Sequence, residues 1–106
     1  MGLFGSVSSK QIDEFAKSLA RELAARCPPE PGADGGRPNA SPKAIVATIE
    51  GICSKALAFK NLHKFGIYRK ARLGNTFRWE LTALGYDKRF AEDVTQRLIV
   101  HIARRS

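Results

Sequence analysis

Ile12, Phe15, Ala16, Leu19, Leu23 and Ala24 recur at three- and four-residue intervals, the spacing that gathers apolar side chains on one face of an α-helix. The start of this helix is written locally: Ser8 with Gln11 makes a capping box, and Val7 is placed to pack on Ile12 as a hydrophobic staple. A helix over residues 9 to 26 is predicted. On its polar side Asp13 with Lys17 and Glu22 with Arg26 are i,i+4 pairs in the favourable order, which predicts a self-neutralised solvent face. A second stripe, Ile45, Ile49, Ile52, Cys53 and Ala56 with Phe59 extending it, follows Ser41 as N-cap and Pro42 at the first helical position. It predicts a helix over 42 to 65 that bends or ends between Lys60 and Gly66, with Gly66 as the stop. A last stripe of Phe90, Val94, Leu98 and Ile102 has Glu92 and Asp93 near its start and Arg97, Arg104 and Arg105 toward its end, as the helix macrodipole favours. This predicts a helix over 88 to 104, opening at Asp87.

Residues 67 to 85 admit two readings. Leu73, Phe77, Leu81 and Leu84 are spaced four, four and three, and Gly85 followed by Tyr86 suits a C-terminal cap in which Tyr86 returns onto Leu81, so a helix over 74 to 84 is the first reading. Against it, Gly74-Asn75 is a two-residue turn signal that would join Ile67–Leu73 to Thr76–Thr82 as a hairpin. The expected fold is therefore one all-α domain of four helices spanning residues 1 to 106, with an α+β fold carrying a hairpin at about 67 to 82 as the alternative. All five prolines fall between residues 28 and 42 together with Gly32, Gly35 and Gly36, which predicts a flexible loop over 28 to 41.

The length of 106 residues suffices for one core without disulfide or metal staples, and 43% hydrophobic with 26% charged residues is ordinary for a globular domain. No apolar run reaches the ~20 residues that span a bilayer. The N-terminal Met-Gly-Leu-Phe-Gly-Ser lacks the features of a secretory signal, which predicts a cytoplasmic protein with Cys27 and Cys53 as free thiols. Gly2 with Ser6 fits an N-myristoylation pattern but reads more simply as a leader into the first helix. Asn39-Ala40-Ser41 matches a glycosylation triplet and, with Pro42 directly after it, is assigned no role.

Charge changes the picture most. Residues 1 to 50 hold Lys10, Lys17, Arg21, Arg26, Arg37 and Lys43 against Asp13, Glu14, Glu22, Glu30, Asp34 and Glu50, so the net charge of +8 falls entirely in residues 51 to 106. Between Glu50 and Glu80 there is no carboxylate, while Lys55, Lys60, Lys64, Arg69, Lys70, Arg72 and Arg78 are interleaved with Phe59, Phe65, Tyr68, Phe77 and Trp79. Such a stretch selects an anionic partner. Cations displace the counterions condensed on phosphates and flat rings stack on bases, so the expected function is a small nucleic-acid-binding or nucleoid-associated module. Lys60, Lys64, Arg69, Lys70, Arg72 and Arg78 are the candidate phosphate contacts. A short helix, a turn at Gly85-Tyr86-Asp87 and a helix beginning Lys88-Arg89, with Glu92 and Gln96 on the same outward face, also resembles a helix-turn-helix. Two plainer readings compete. Phe59, Phe77 and Trp79 can be core residues with the cations serving solubility, or the module can bind an acidic protein and no nucleic acid.

The catalytic inventory is thin. There is no Gly-rich phosphate loop, nucleophile elbow, zinc helix or Cys-x-x-Cys pair, and Lys60 and Leu98 stand where a Glu-x-x-His metal motif would need Glu. His63 and His101 read as core or boundary residues, Cys53 as a small buried hydrophobe and Cys27 as a more exposed thiol. A non-enzymatic protein without cofactor or metal is expected; an enzyme with an unsignalled site would show a pocket converging on His63 or His101. The run Ile67-Tyr68-Arg69-Lys70-Ala71-Arg72-Leu73-Gly74-Asn75-Thr76-Phe77-Arg78-Trp79-Glu80-Leu81, then Leu84-Gly85-Tyr86, resembles short uncharacterised proteins of proteobacteria, of Burkholderia type. The resemblance covers at most the C-terminal half. It implies a bacterial cytoplasmic origin and carries no motif of known role.

Overall fold

A computed structural model describes residues 8–31, 35–64 and 66–104. The expectations placed on Gly2, Ser6, Val7, Gly32 and Phe65 lie outside these residues. Four helices follow one another, α1 Ser9–Arg26, α2 Pro42–His63, α3 Ile67–Ala83 and α4 Lys88–Arg104, so the fold is all-α. Residues 67 to 82 form no hairpin. Leu73, Phe77 and Leu81 are all buried on one side of α3, and Gly74 lies on that side too. A Cβ at Gly74 would come within 2.5 Å of Ile99 Cδ1 on α4, so this glycine permits a close helix contact and marks no turn. The helix starts seven residues earlier than its apolar spacing announces, because Ile67 and Tyr68 in its first turn are exposed and contribute nothing to the buried stripe.

Three contacts, the last of them just past the ends of both helices, set how α1 meets α3. Arg72 to Asp13, Arg21 to Glu80 and Tyr86 to Cys27 each join residues 59 apart, and a constant offset means that the two helices run parallel. Against α2, α1 runs antiparallel: Phe15 stacks on Phe59 with ring centroids 3.9 Å apart, Glu22 accepts from Lys55 at 2.5 Å, and Cys27 lies 3.7 Å from Thr48 Oγ1. With α3 on α4 and α4 on α2, the helices stand in the ring order α1, α3, α4, α2 around a core that includes Ile12, Leu19, Leu23, Ile52, Phe77 and Leu98. Each such side chain contributes on the order of 1.5–3 kcal/mol on burial. Since α2 and α3 are not neighbours in the ring, the chain passes from one to the other across one end of the bundle, which leaves Lys64 and residues 66 to 70 at its rim.

The helix ends follow local chemistry. Ser8 Oγ accepts from Gln11 N at 3.1 Å while Gln11 Oε1 accepts from Ser8 N at 2.9 Å, the reciprocal capping box. Ser41 Oγ accepts from Ala44 N ahead of Pro42, and Asp87 Oδ1 accepts from Arg89 N at the start of α4. Tyr86 N donates to Leu81 O and Gly85 N to Thr82 O, with Gly85 at φ +111°, which closes α3 in a Schellman motif. Gly66 is not the stop of α2: the helix ends at His63 with Lys64 in the left-handed region at φ 52°, and Gly66 is the N-cap of α3. The described arms of the Pro/Gly loop are tied down despite their composition. Glu30 N donates to Arg37 O, Asn39 N to Pro28 O and Gly36 N to Gly85 O, and Asp87 N donates back to Gly36 O. Cys27, expected to be the more exposed thiol, is fully buried under this loop, where its carbonyl accepts from Tyr86 Oη at 2.5 Å.

Candidate nucleic-acid interface

Leu73, Gly74, Phe77 and Leu81 define the inner side of α3. At 100° per residue, Tyr68 and Trp79 lie within about 20° of each other on the opposite side, with Asn75 between them. Both rings are open to solvent, Tyr68 at 68% and Trp79 at 65% of their full exposure. Eleven residues of helix separate them by about 16 Å. Trp79 is thus not core. Phe77, two residues earlier, is fully buried, and Phe59 is half-buried on Phe15.

The structure sorts the six candidate cations into two groups. Lys60 is withdrawn from any phosphate: it is only 4% exposed, and its Nζ donates to Ile102 O at 3.1 Å near the end of α4. Its place follows from position, since Lys60 continues the stripe of Ile49, Ile52, Cys53 and Ala56 and its long stem packs with them. Arg72 is also engaged. Its Nη2 and Nε donate to the two carboxylate oxygens of Asp13 at 2.9 and 3.0 Å, Thr76 Oγ1 donates to the same carboxylate, and Arg72 Nη1 reaches Tyr68 Oη at 3.4 Å. The hydrogen bonds from Arg72 hold the Asp13 carboxyl below the usual carboxylate range, with Thr76 adding to the effect, and the guanidinium is held more firmly charged in return.

The remaining four are accessible. Lys64 is exposed at the left-handed turn, Arg69 and Lys70 are partly exposed in the first turn of α3, and none of the three makes an ion pair among the described residues. Arg78, partly exposed, donates to Asn75 Oδ1 at 3.0 Å beside Trp79. Two carboxylates at α3 are neutralised, Asp13 of α1 by Arg72 and Glu80 by Arg21 at 3.2 Å. Of the two pairs expected within α1, that of Glu22 with Arg26 forms at 3.9 Å, whereas the partner of Asp13 is Arg72 on another helix and not Lys17. Glu22 pairs with Lys55 of α2 as well as Arg26.

The pair α3–α4 does not have helix-turn-helix geometry. Gly74 still touches Ile99 about 15 Å before the connecting turn, which a crossing near a right angle would not allow; the two form an αα-hairpin. On the far side, Ile49, Glu50, Cys53, Arg97 and His101 line a cleft of about 640 Å³ between α2 and α4. Burial pushes the Cys53 thiol up, which disfavours the nucleophilic thiolate there. His63 is half-buried with its ring tilted on Phe59 at 4.5 Å. Among the described residues no group of three or more His, Cys, Asp or Glu is placed to hold a metal, and no helix is long and apolar enough to cross a membrane.

One signal for this site was readable in the chain, the eleven-residue spacing of Tyr68 and Trp79. The partnership of Asp13 with Arg72 was not, because nothing local links residues 59 apart. No protein-family model, curated protein or solved structure matches the chain.

Proposed function

We propose that this protein is a small nucleic-acid-binding module that holds phosphates through Lys64, Arg69, Lys70 and Arg78, with weak sequence preference. The observation that carries the reading is the cation-rich rim where α2 passes to α3. Three cations stand there in a stretch free of carboxylates and make no ion pair among the described residues, while Asp13 and Glu80 are already bound by arginines. Phosphates neutralised by such cations release condensed counterions, which supplies affinity without reading bases. A cytoplasmic location in a bacterial cell belongs to the same proposal.

The test is binding of fluorescein-labelled DNA and RNA by anisotropy at about 50 mM salt, then across salt. About four engaged phosphates give a log–log slope near −4 on duplex and near −3 on single strands. Lys64→Glu, Arg69→Glu and Lys70→Glu combined should keep the fold, since none of the three is buried, and lose most of the binding. Absence of association with any nucleic acid at that salt defeats the proposal. A second reading, docking of an acidic protein, is favoured by Leu62 and Ile67 at the same rim, which are 73% and 86% exposed. Under that reading the triple variant loses its protein partner and wild type ignores nucleic acid.

A further inference from the structure

Tyr68 and Trp79 pose a question that phosphate binding does not answer. A phosphate needs a cation, yet the outer line of α3 presents two large rings, and neither packs on another aromatic ring among the described residues. The side chains between them are small or polar: Ala71 and Asn75 are exposed, and Arg72 and Thr76 lean away toward Asp13 on α1. A flat object can therefore lie against either ring without meeting a bulky neighbour. Arg72, clamped by two hydrogen bonds to Asp13, also reaches the Tyr68 hydroxyl and so restrains that ring before any ligand arrives. Arg72 is thus a positioning residue and not a phosphate contact.

Cations stand near both ends of this line, Lys64, Arg69 and Lys70 at the rim where α3 begins, with Arg69 about 100° around the helix from Tyr68 and Lys70 on the other side of it, and Arg78 about 100° around from Trp79. Phosphates at the ends and ring faces between them are the complement of a strand whose bases are unpaired. A duplex buries its base faces in its own stack, and two rings about 16 Å apart on a convex helix cannot reach them without unstacking two separate steps. A second copy of the chain fits poorly, because pairing these faces would bring the same cations of both copies together. Resting on the nucleic-acid reading, we infer that the ligand is single-stranded, with one base stacked on Tyr68 and a second on Trp79.

Trp79 is the chain's single tryptophan, so its emission reports on this line directly. The full-length protein is titrated at about 50 mM salt with a single-stranded oligothymidylate, with a duplex of equal length, and with heparin as a polyanion that lacks bases. The single strand should quench Trp79 and bind about tenfold tighter than the duplex, and heparin should leave the emission near its starting value. Tyr68→Ala and Trp79→Ala should each weaken single-strand binding about tenfold while leaving the salt slope unchanged, since stacking releases no counterion. Duplex and single strand binding equally with Trp79 unquenched would overturn this inference and leave the nucleic-acid reading standing. Binding to none of the nucleic acids overturns both. Equal quenching by heparin and oligothymidylate would also overturn the inference, because Trp79 would then be sensing charge alone. Unchanged circular dichroism and melting of both variants exclude unfolding as the cause of any loss.

Discussion

Phe77 and Trp79 stand two residues apart on α3 and meet opposite surroundings. Phe77 points into the bundle and is wholly buried, whereas Trp79 is open to solvent on a line with Tyr68. The same division separates Lys60 from Lys64 one helical turn later, the first buried with its ammonium on Ile102 O, the second exposed where α2 stops. Residue type does not sort either pair. What sorts them is the angle at which each side chain leaves its helix relative to the neighbouring helices. One side of α3 therefore serves the fold, and the other is left available for a ligand.

The sharpest way to break this comparison is to truncate the inner member. Phe77→Ala should cost about 3–5 kcal/mol in urea unfolding, because it leaves a cavity among α1, α3 and α4. A loss under about 1 kcal/mol would mean that the inner side is not core. Next in size, Lys60→Met should cost about 1–3 kcal/mol by leaving a carbonyl of α4 without its donor, yet leave nucleic-acid affinity and salt slope as they were. Reduced affinity in a folded Lys60→Met protein would return Lys60 to the binding surface. Lys64→Gly should act in the opposite sense. It relieves a side chain held at φ 52°, so stability should rise by about 1 kcal/mol while the salt slope becomes shallower by about one.

A smaller effect tests the seam that fixes Arg72. Hydrogen bonding to Arg72 and Thr76 depresses Asp13 below its ordinary value of 3.8 in the folded chain, so between the folded and unfolded values the unfolded chain binds more protons. The stabilisation it supplies is complete above that ordinary value and is lost as pH falls through the folded one. Urea midpoints of wild type and Asp13→Asn should accordingly differ near neutral pH and draw together as pH falls below 3.8, and a constant gap on acidification would show that the carboxylate charge is not what matters. The smallest expected effect is on the outer line, where Trp79→Ala should change stability by no more than about 0.5 kcal/mol. A cost above about 2 kcal/mol would place Trp79 in the core and remove the aromatic line from the candidate surface.

What the chain determined by itself is everything whose physics spans a few residues. The apolar intervals in α1, α2 and α4, the capping box of Ser8 and Gln11, Ser41 with Pro42, and the Gly85 closure all use partners at most five residues away, and the all-α fold follows from them. The basic second half was equally plain, since charge is a property of composition. The first turn of α3 was hidden because its side chains face water and leave no periodic trace, and Gly74-Asn75 read as a turn because a glycine cut for a helix contact looks the same as one cut for a bend. Which cations are free and which rings are exposed was decided only by tertiary structure. Lys60 is consumed by a carbonyl 42 residues away, Arg72 by a carboxylate 59 residues away, and Trp79 is left open because, among the described residues, no helix packs on the outer side of α3. Those outcomes depend on how four helices are arranged around one core, and no local interval records that arrangement.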